Sequence, residues 1–190
     1  MPQLGSMADQ LEEHQRVVAA AGRHLDLLAR MADRMADCFR AGGRLYLCGN
    51  GGSAADAQHI AAELVGRYRR DRKGLPAAAL TTDTSILTAV GNDYGSDRVF
   101  ARQVEALVTR NDILWALSVS GRSPNVLRAF EAARAIGAFC IGFTGRNGQP
   151  LKALCDLCFQ ADHDRADRVQ EVHRLAYHLI CDHIDAHYAL

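Results

Sequence analysis

Five short apolar runs, only the last of them broken by a charged residue (Asp156), each followed by a polar turn or a stretch of helical periodicity, leave this chain few folds to adopt. The runs are Leu45-Tyr46-Leu47-Cys48, Ala77 to Leu80, Ile113-Leu114-Trp115-Ala116-Leu117, Phe139 to Phe143 and Cys155 to Phe159. A strand that is apolar at every position is buried on both faces, which is the condition of a parallel sheet covered by helices on each side. Apolar spacing predicts those helices over about 53–68, 84–90, 97–109, 124–136 and 166–187. Ahead of the first run, Val17, Val18, Leu25, Leu27, Leu28, Met31 and Met35 recur at helical spacing until Ala41-Gly42-Gly43 stops them, giving one or two further helices. The expected fold is α/β: a three-layer αβα sandwich with a five-stranded parallel sheet, plus an N-terminal helical segment. A length of 190 residues suits one domain, read as 7–190, with residues 1–6 as a disordered lead or cloning remnant.

Charge and composition narrow the function. Lys+Arg and Asp+Glu both number 22, so the chain lacks the basic excess that phosphate neutralisation demands of a nucleic-acid or membrane-surface binder. No apolar run approaches the roughly 20 residues of a bilayer span. Met1 to Gln10 lacks a basic region followed by an apolar stretch, so no secretory leader is expected and the location reads as cytoplasmic. Cys38, Cys48, Cys140 and Cys181 sit singly in apolar surroundings. The pair Cys155 and Cys158 falls in a strand-like context without a following helix start, so all six read as structural thiols.

In an open parallel sheet ligands bind beyond the carboxyl ends of the strands, and two of those ends are chemically rich here. The first is Gly49-Asn50-Gly51-Gly52-Ser53-Ala54-Ala55-Asp56, running from strand through glycines into a helix. Glycines let the backbone approach an anion, and the helix N-terminus supplies free N–H groups and a positive dipole end. The same residues match G-x-G-x-x-A, but no acidic residue closes a second strand about 20 residues later, as a dinucleotide fingerprint requires. A tight turn with no ligand is the plain alternative. The second end is Ser118-Val119-Ser120-Gly121-Arg122-Ser123-Pro124. One serine suffices to cap the helix that follows. Three in six residues exceed that need and suit a phosphate cradle.

A metal signal lies on two helices. His59 and Glu63 stand at i and i+4 on one face, a spacing that more often makes an ordinary solvated contact. On the last helix Gln170 and His178 are eight residues apart, about 80° around the axis, so both can face one point while His173 points elsewhere, to a polar or cap-like position. Two N/O donors from each helix suit zinc. His183 and His187, also at i and i+4, read as an exposed polar face. Gly91-Asn92-Asp93 is turn-like, or a pair of side chains for sugar hydroxyls. Arg67 is either a surface cation or a substrate contact.

Taken together these motifs resemble the phosphoheptose isomerases of the sugar-isomerase (SIS) superfamily over nearly the whole chain. They are Gly49 through His59, then Glu63, Gly91-Asn92-Asp93, Ser118 through Ser123, and Ala166 through His173 with His178. The resemblance implies interconversion of sedoheptulose 7-phosphate and D-glycero-D-manno-heptose 7-phosphate. It implies zinc held by His59, Glu63, Gln170 and His178, and a homotetramer with sites near subunit interfaces. It makes Ser53, Ser118, Ser120 and Ser123 phosphate and substrate contacts. Asn50, Gly51, Gly52, Asn92, Asp93 and Asp167 become the groups that hold the open-chain sugar. Where the family has a small polar residue this chain has Val119, which leaves a backbone N–H for phosphate. Isomerisation needs an acid/base pair, expected as Glu63 and His178. A replication-initiation adaptor shares the fold but lacks that pair. An isomerase of another phosphosugar shares the pair.

Overall fold

The structure, a computed structural model, describes residues 6–188. Strands β1 (Leu45–Gly49), β2 (Ala77–Ala79), β3 (Ile113–Ser118), β4 (Phe139–Thr144) and β5 (Leu157–Gln160) form one sheet in the order β2-β1-β3-β4-β5. Every neighbouring pair is parallel. The expected sandwich and its five strands are therefore present. Alternate residues feed two cores. Leu45, Leu47, Ile113, Trp115, Ile141 and Phe143 face α1 (Met7–Ala21), α2 (Leu25–Arg40), α3 (Gly52–Val65) and α8 (Ala166–Tyr188). Tyr46, Cys48, Leu114, Ala116 and Cys140 face the other layer, of α4 (Thr84–Tyr94), α5 (Ala101–Leu107), α6 (Pro124–Ile136) and α7 (Gln149–Lys152). No described helix is long and apolar enough to cross a membrane.

Several boundaries differ from the sequence reading, each for a local reason. Ser6, expected in the lead, caps α1: its hydroxyl accepts from the Asp9 N–H, and Asp9 accepts from the Ser6 N–H. Residues 1–5 lie outside the described residues. Strand β5 starts at Leu157 instead of Cys155, because Asp156 turns its carboxylate onto the Cys140 N–H at 2.7 Å. Cys155 instead offers its thiol to the Leu151 carbonyl at 3.1 Å, at the end of α7, a short helix the sequence reading did not include. The segment expected as one helix over 97–109 is a 3₁₀ turn followed by α5.

Order β2-β1-β3 makes a topological switch point between β1 and β3, where the chain leaves the two strands toward opposite layers. Gly49 lies beside Leu117 in that register, so the two chemically rich loops emerge side by side. Behind them, the segment between α3 and β2 is anchored by Arg72. Its guanidinium is 1% exposed and donates to Asp185 of α8 at 2.6 Å and to the Glu63 and Leu64 carbonyls at 2.8 Å each. A cation on the last carbonyls complements the negative end of α3. Asp185 also accepts the Arg69 and Arg70 N–H groups, at 2.7 and 3.0 Å.

Candidate active site

At the switch point two helix N-termini are presented without side-chain caps. Gly51 caps α3 at φ +55°, a conformation that only glycine adopts without strain, and no side chain bonds the first turn. Ser123 occupies the cap position of α6, yet its hydroxyl turns away from the helix to share a 3.2 Å hydrogen bond with Ser118. The expectation that one serine does the capping through its side chain is thus not met. Gly121, at φ +61°, lets the loop pass against Gly148, where a Cβ would lie 2.5 Å from the Gly148 Cα. The Ser120 hydroxyl accepts from the Arg122 N–H at 3.2 Å. Val119 sends its side chain toward the core, and its carbonyl accepts from the Gly145 N–H at 2.9 Å. Asn50 and Asn125 join the two loops through their amides. Ser53 and Ser118 are buried, while Asn50, Gly51, Gly52 and Ser120 are exposed. Hydroxyls and two positive dipole ends thus converge, an arrangement suited to an anion.

Farther along α3, His59 and Glu63 meet His178 of α8. His59 Nε2 lies 2.9 Å from Glu63 Oε1, and the His59 and His178 rings are 5.2 Å apart. One ligand atom from each of the three residues lies within 4.8 Å of the others. Burial, and then the neighbouring His59, lower the pKa of His178 and favour its neutral ring. Tyr68 stacks on that ring at 5.4 Å. Behind His59 runs a relay: Tyr177 donates to the buried Asp56 at 3.2 Å and lies 3.2 Å from His59 Nδ1, while Arg174 donates to the same Asp56 oxygen at 2.9 Å. The Tyr177 hydroxyl thus links Asp56 to His59 Nδ1 and holds the ring with Nε2 turned toward the Glu63 carboxylate. This donor set, with its supporting hydrogen bonds, fits zinc.

The remaining expected residues are placed less uniformly. Gln170 lays its amide over Gly52, where a Cβ would come within 2.7 Å of it, beside a cavity of about 340 Å³ lined also by Asp56, Asp167 and Arg174. Asp167 is held by Arg165, which draws its carboxyl well below the usual range. Arg67 is exposed and bonds only the Arg69 carbonyl among the described residues. Asn92 and Asp93 lie in the last turn of α4 and not in a free turn; they bond each other at 2.8 Å and, among the described residues, none of the other site residues. His173 is neither polar-facing nor a cap. It is fully buried against Phe143 and Phe159, with Nε2 on the Thr144 carbonyl at 3.2 Å. Asp56, Tyr177, Arg174 and Tyr68 were not singled out from sequence. Asp56 falls at i−3 from His59, on the face that carries Glu63 at i+4, which is the signal that exposes it.

Residues 10–145 match the family model of the SIS domain, and the chain belongs to that family. Within it the chain groups with the phosphoheptose isomerases. It is 47% identical over 174 residues to a phosphoheptose isomerase of Campylobacter jejuni, spanning 92% of this chain and 94% of that protein. A phosphoheptose isomerase of a Roseiflexus species is 54% identical over 159 residues, spanning 84% and 81%. The solved structure of the phosphoheptose isomerase of Neisseria gonorrhoeae superposes with a TM-score of 0.88 at 42% identity, covering 94% of this chain and 96% of that one.

Proposed function

We propose that this protein interconverts sedoheptulose 7-phosphate and D-glycero-D-manno-heptose 7-phosphate through an enediol, with Glu63 and His178 as the acid/base pair. Its kinship makes it a sugar-phosphate isomerase. The observation that carries the finer reading is the convergence of His59, Glu63 and His178 on one point, on the helix that starts at the anion cradle.

Isomerisation moves one proton between adjacent carbons and another between their oxygens. Glu63 Oε1 faces His59, so Oε2 is the oxygen offered to the substrate. It removes the proton from the carbon beside the carbonyl, while His178 handles the proton at the neighbouring position. Returning the proton to the second carbon completes the exchange without any net gain or loss. His59, Glu63, Gln170 and His178 would hold a zinc ion, which when bound polarises the carbonyl and stabilises the enediolate charge. Ser53, Ser118, Ser120, Ser123 and the Val119 N–H bind the phosphate. Asn50, Gly51, Gly52, Arg67, Asn92, Asp93 and Asp167 hold the chain of hydroxyls.

Ser53 and Glu63 stand ten residues apart, about 15 Å along α3, so the phosphate cradle and the acid/base pair of one chain are well separated. That spread supports a homotetramer in which neighbouring chains complete each other's sites. The free thiols at Cys38, Cys48, Cys140, Cys155, Cys158 and Cys181 fit a reducing, cytoplasmic setting.

The test is turnover of sedoheptulose 7-phosphate by purified protein, before chelation, after it and after zinc add-back. Loss on chelation and recovery with zinc are expected, and Glu63→Gln should lower kcat by about a hundredfold or more. No turnover by folded, zinc-loaded protein would rule out this substrate. Full turnover by Glu63→Gln would rule out this base.

A further inference from the structure

His183 and His187 take no part in the chemistry above, and their surroundings differ from the featureless polar face expected of them. Both rings turn from the last two turns of α8 toward α2. His183 Nε2 lies 3.1 Å and His187 Nε2 3.2 Å from the same atom, Asp33 Oδ1. The two rings are 5.1 Å apart, and the three ligand atoms lie within 4.8 Å of one another. All three side chains reach solvent, at 43%, 34% and 55% exposure, so an ion has free access.

These contacts are hydrogen bonds as they stand, and the same spacing admits a coordination shell. Bonds of about 2.0–2.1 Å in a tetrahedral zinc site set neighbouring ligand atoms about 3.3 Å apart, close to both nitrogen–oxygen distances here. Two imidazoles and one carboxylate are also the donor set that borderline divalent ions prefer over magnesium or calcium. We propose that Asp33, His183 and His187 form a second metal site, which takes a divalent ion of the zinc class and pins the end of α8 to α2.

Arg40 sets the strength of this site. Its guanidinium lies 3.4 Å from His187 Nδ1 and also pairs with Asp37. A metal on Nε2 of a neutral ring leaves the proton on Nδ1, so Arg40 must swing away from His187. Replacing it with a residue that can accept that proton's hydrogen bond should tighten the site.

The experiment is a Zn²⁺ titration of the full-length protein against a chromophoric chelator, with thermal unfolding followed in parallel. The double variant His183→Gln/His187→Gln should bind one equivalent per chain fewer than wild type, whether or not the α3–α8 cluster binds zinc. It should keep wild-type isomerase turnover and lose part of the zinc-induced rise in Tm. Arg40→Gln should bind the additional equivalent about tenfold more tightly. Equal stoichiometry in wild type and the double variant would overturn the proposal, as would an Arg40→Gln affinity no higher than that of wild type.

Discussion

Asn50 and Asn125 exchange two hydrogen bonds, of 2.9 and 2.8 Å, across the gap between the loops that follow β1 and β3. Each amide is both donor and acceptor to the other, which fixes the orientation of Asn50 where the two helix N-termini meet. Asn125→Ala removes that partner without touching the sheet. An exposed pair of this kind contributes about 1 kcal/mol. We expect kcat/KM for the sugar phosphate to fall about fivefold, mostly through KM, with Tm lowered by about 2–4 °C at most. Steady-state kinetics beside a melting curve checks both.

Tyr177→Phe keeps the ring and deletes the hydroxyl between Asp56 and His59. Asp56 keeps Arg174, so the buried carboxylate is not stranded. His59 loses the partner that fixes its tautomer, and loss of such outer-shell partners typically costs ten- to a hundredfold in metal affinity. Zinc competition against a chelator should show a loss of about that size, with the fold intact by circular dichroism.

Gly52→Ala tests Gln170. A Cβ at Gly52 would meet the Gln170 amide at 2.7 Å, and that amide, at the end of a flexible side chain, is what must move. Stability should stay within about 1 kcal/mol, because alanine suits a helix better than glycine. Zinc affinity and turnover should both drop. If both hold at wild-type values, Gln170 is not a ligand.

His173 should make the fold acid-sensitive. Burial lowers its pKa to about 4, from an ordinary 6.5, and its Nδ1 has no hydrogen-bond partner among the described residues. The unfolded chain therefore binds a proton that the native chain refuses between those values. Stability from this residue is complete above pH 6.5 and declines as the pH falls toward 4, by about 3 kcal/mol in total. Urea unfolding at pH 7 and pH 5 should show a larger loss of midpoint for wild type than for His173→Met.

The sheet was legible because its three central strands β1, β3 and β4 are runs of core residues, a pattern that a parallel sheet imposes directly on sequence. The two loops proposed to hold the phosphate were legible for a related reason: each gathers its glycines or serines within a few neighbouring positions, so each carries its own signal. The relay behind His59 was less visible, since Asp56 and Tyr177 meet across 121 positions. Asp33 and His183, 150 positions apart, meet through the same kind of tertiary packing. His173 misled for the opposite reason. Its polarity suggested solvent, whereas Phe143, Phe159 and the Thr144 carbonyl give it a buried berth that no local pattern announces. Asn92 and Asp93 carried turn chemistry, but α4 extends through them and ends only at Gly95, which sits at φ +94°.

The Arg72–Asp185 pair also bears on how this enzyme can be shortened. Asp185 lies seven residues beyond His178, in a part of α8 that holds none of the proposed catalytic groups. Trimming the chain after Cys181 would nonetheless leave the Arg72 guanidinium buried without its carboxylate. Removing one partner of a buried pair typically costs about 3–5 kcal/mol. It would also release the Arg69 and Arg70 amides from Asp185 and loosen the clamp on the end of α3. The tail of the molecule is thus a keystone of the helix that carries the proposed site, and a minimal version of this protein cannot stop short of Asp185.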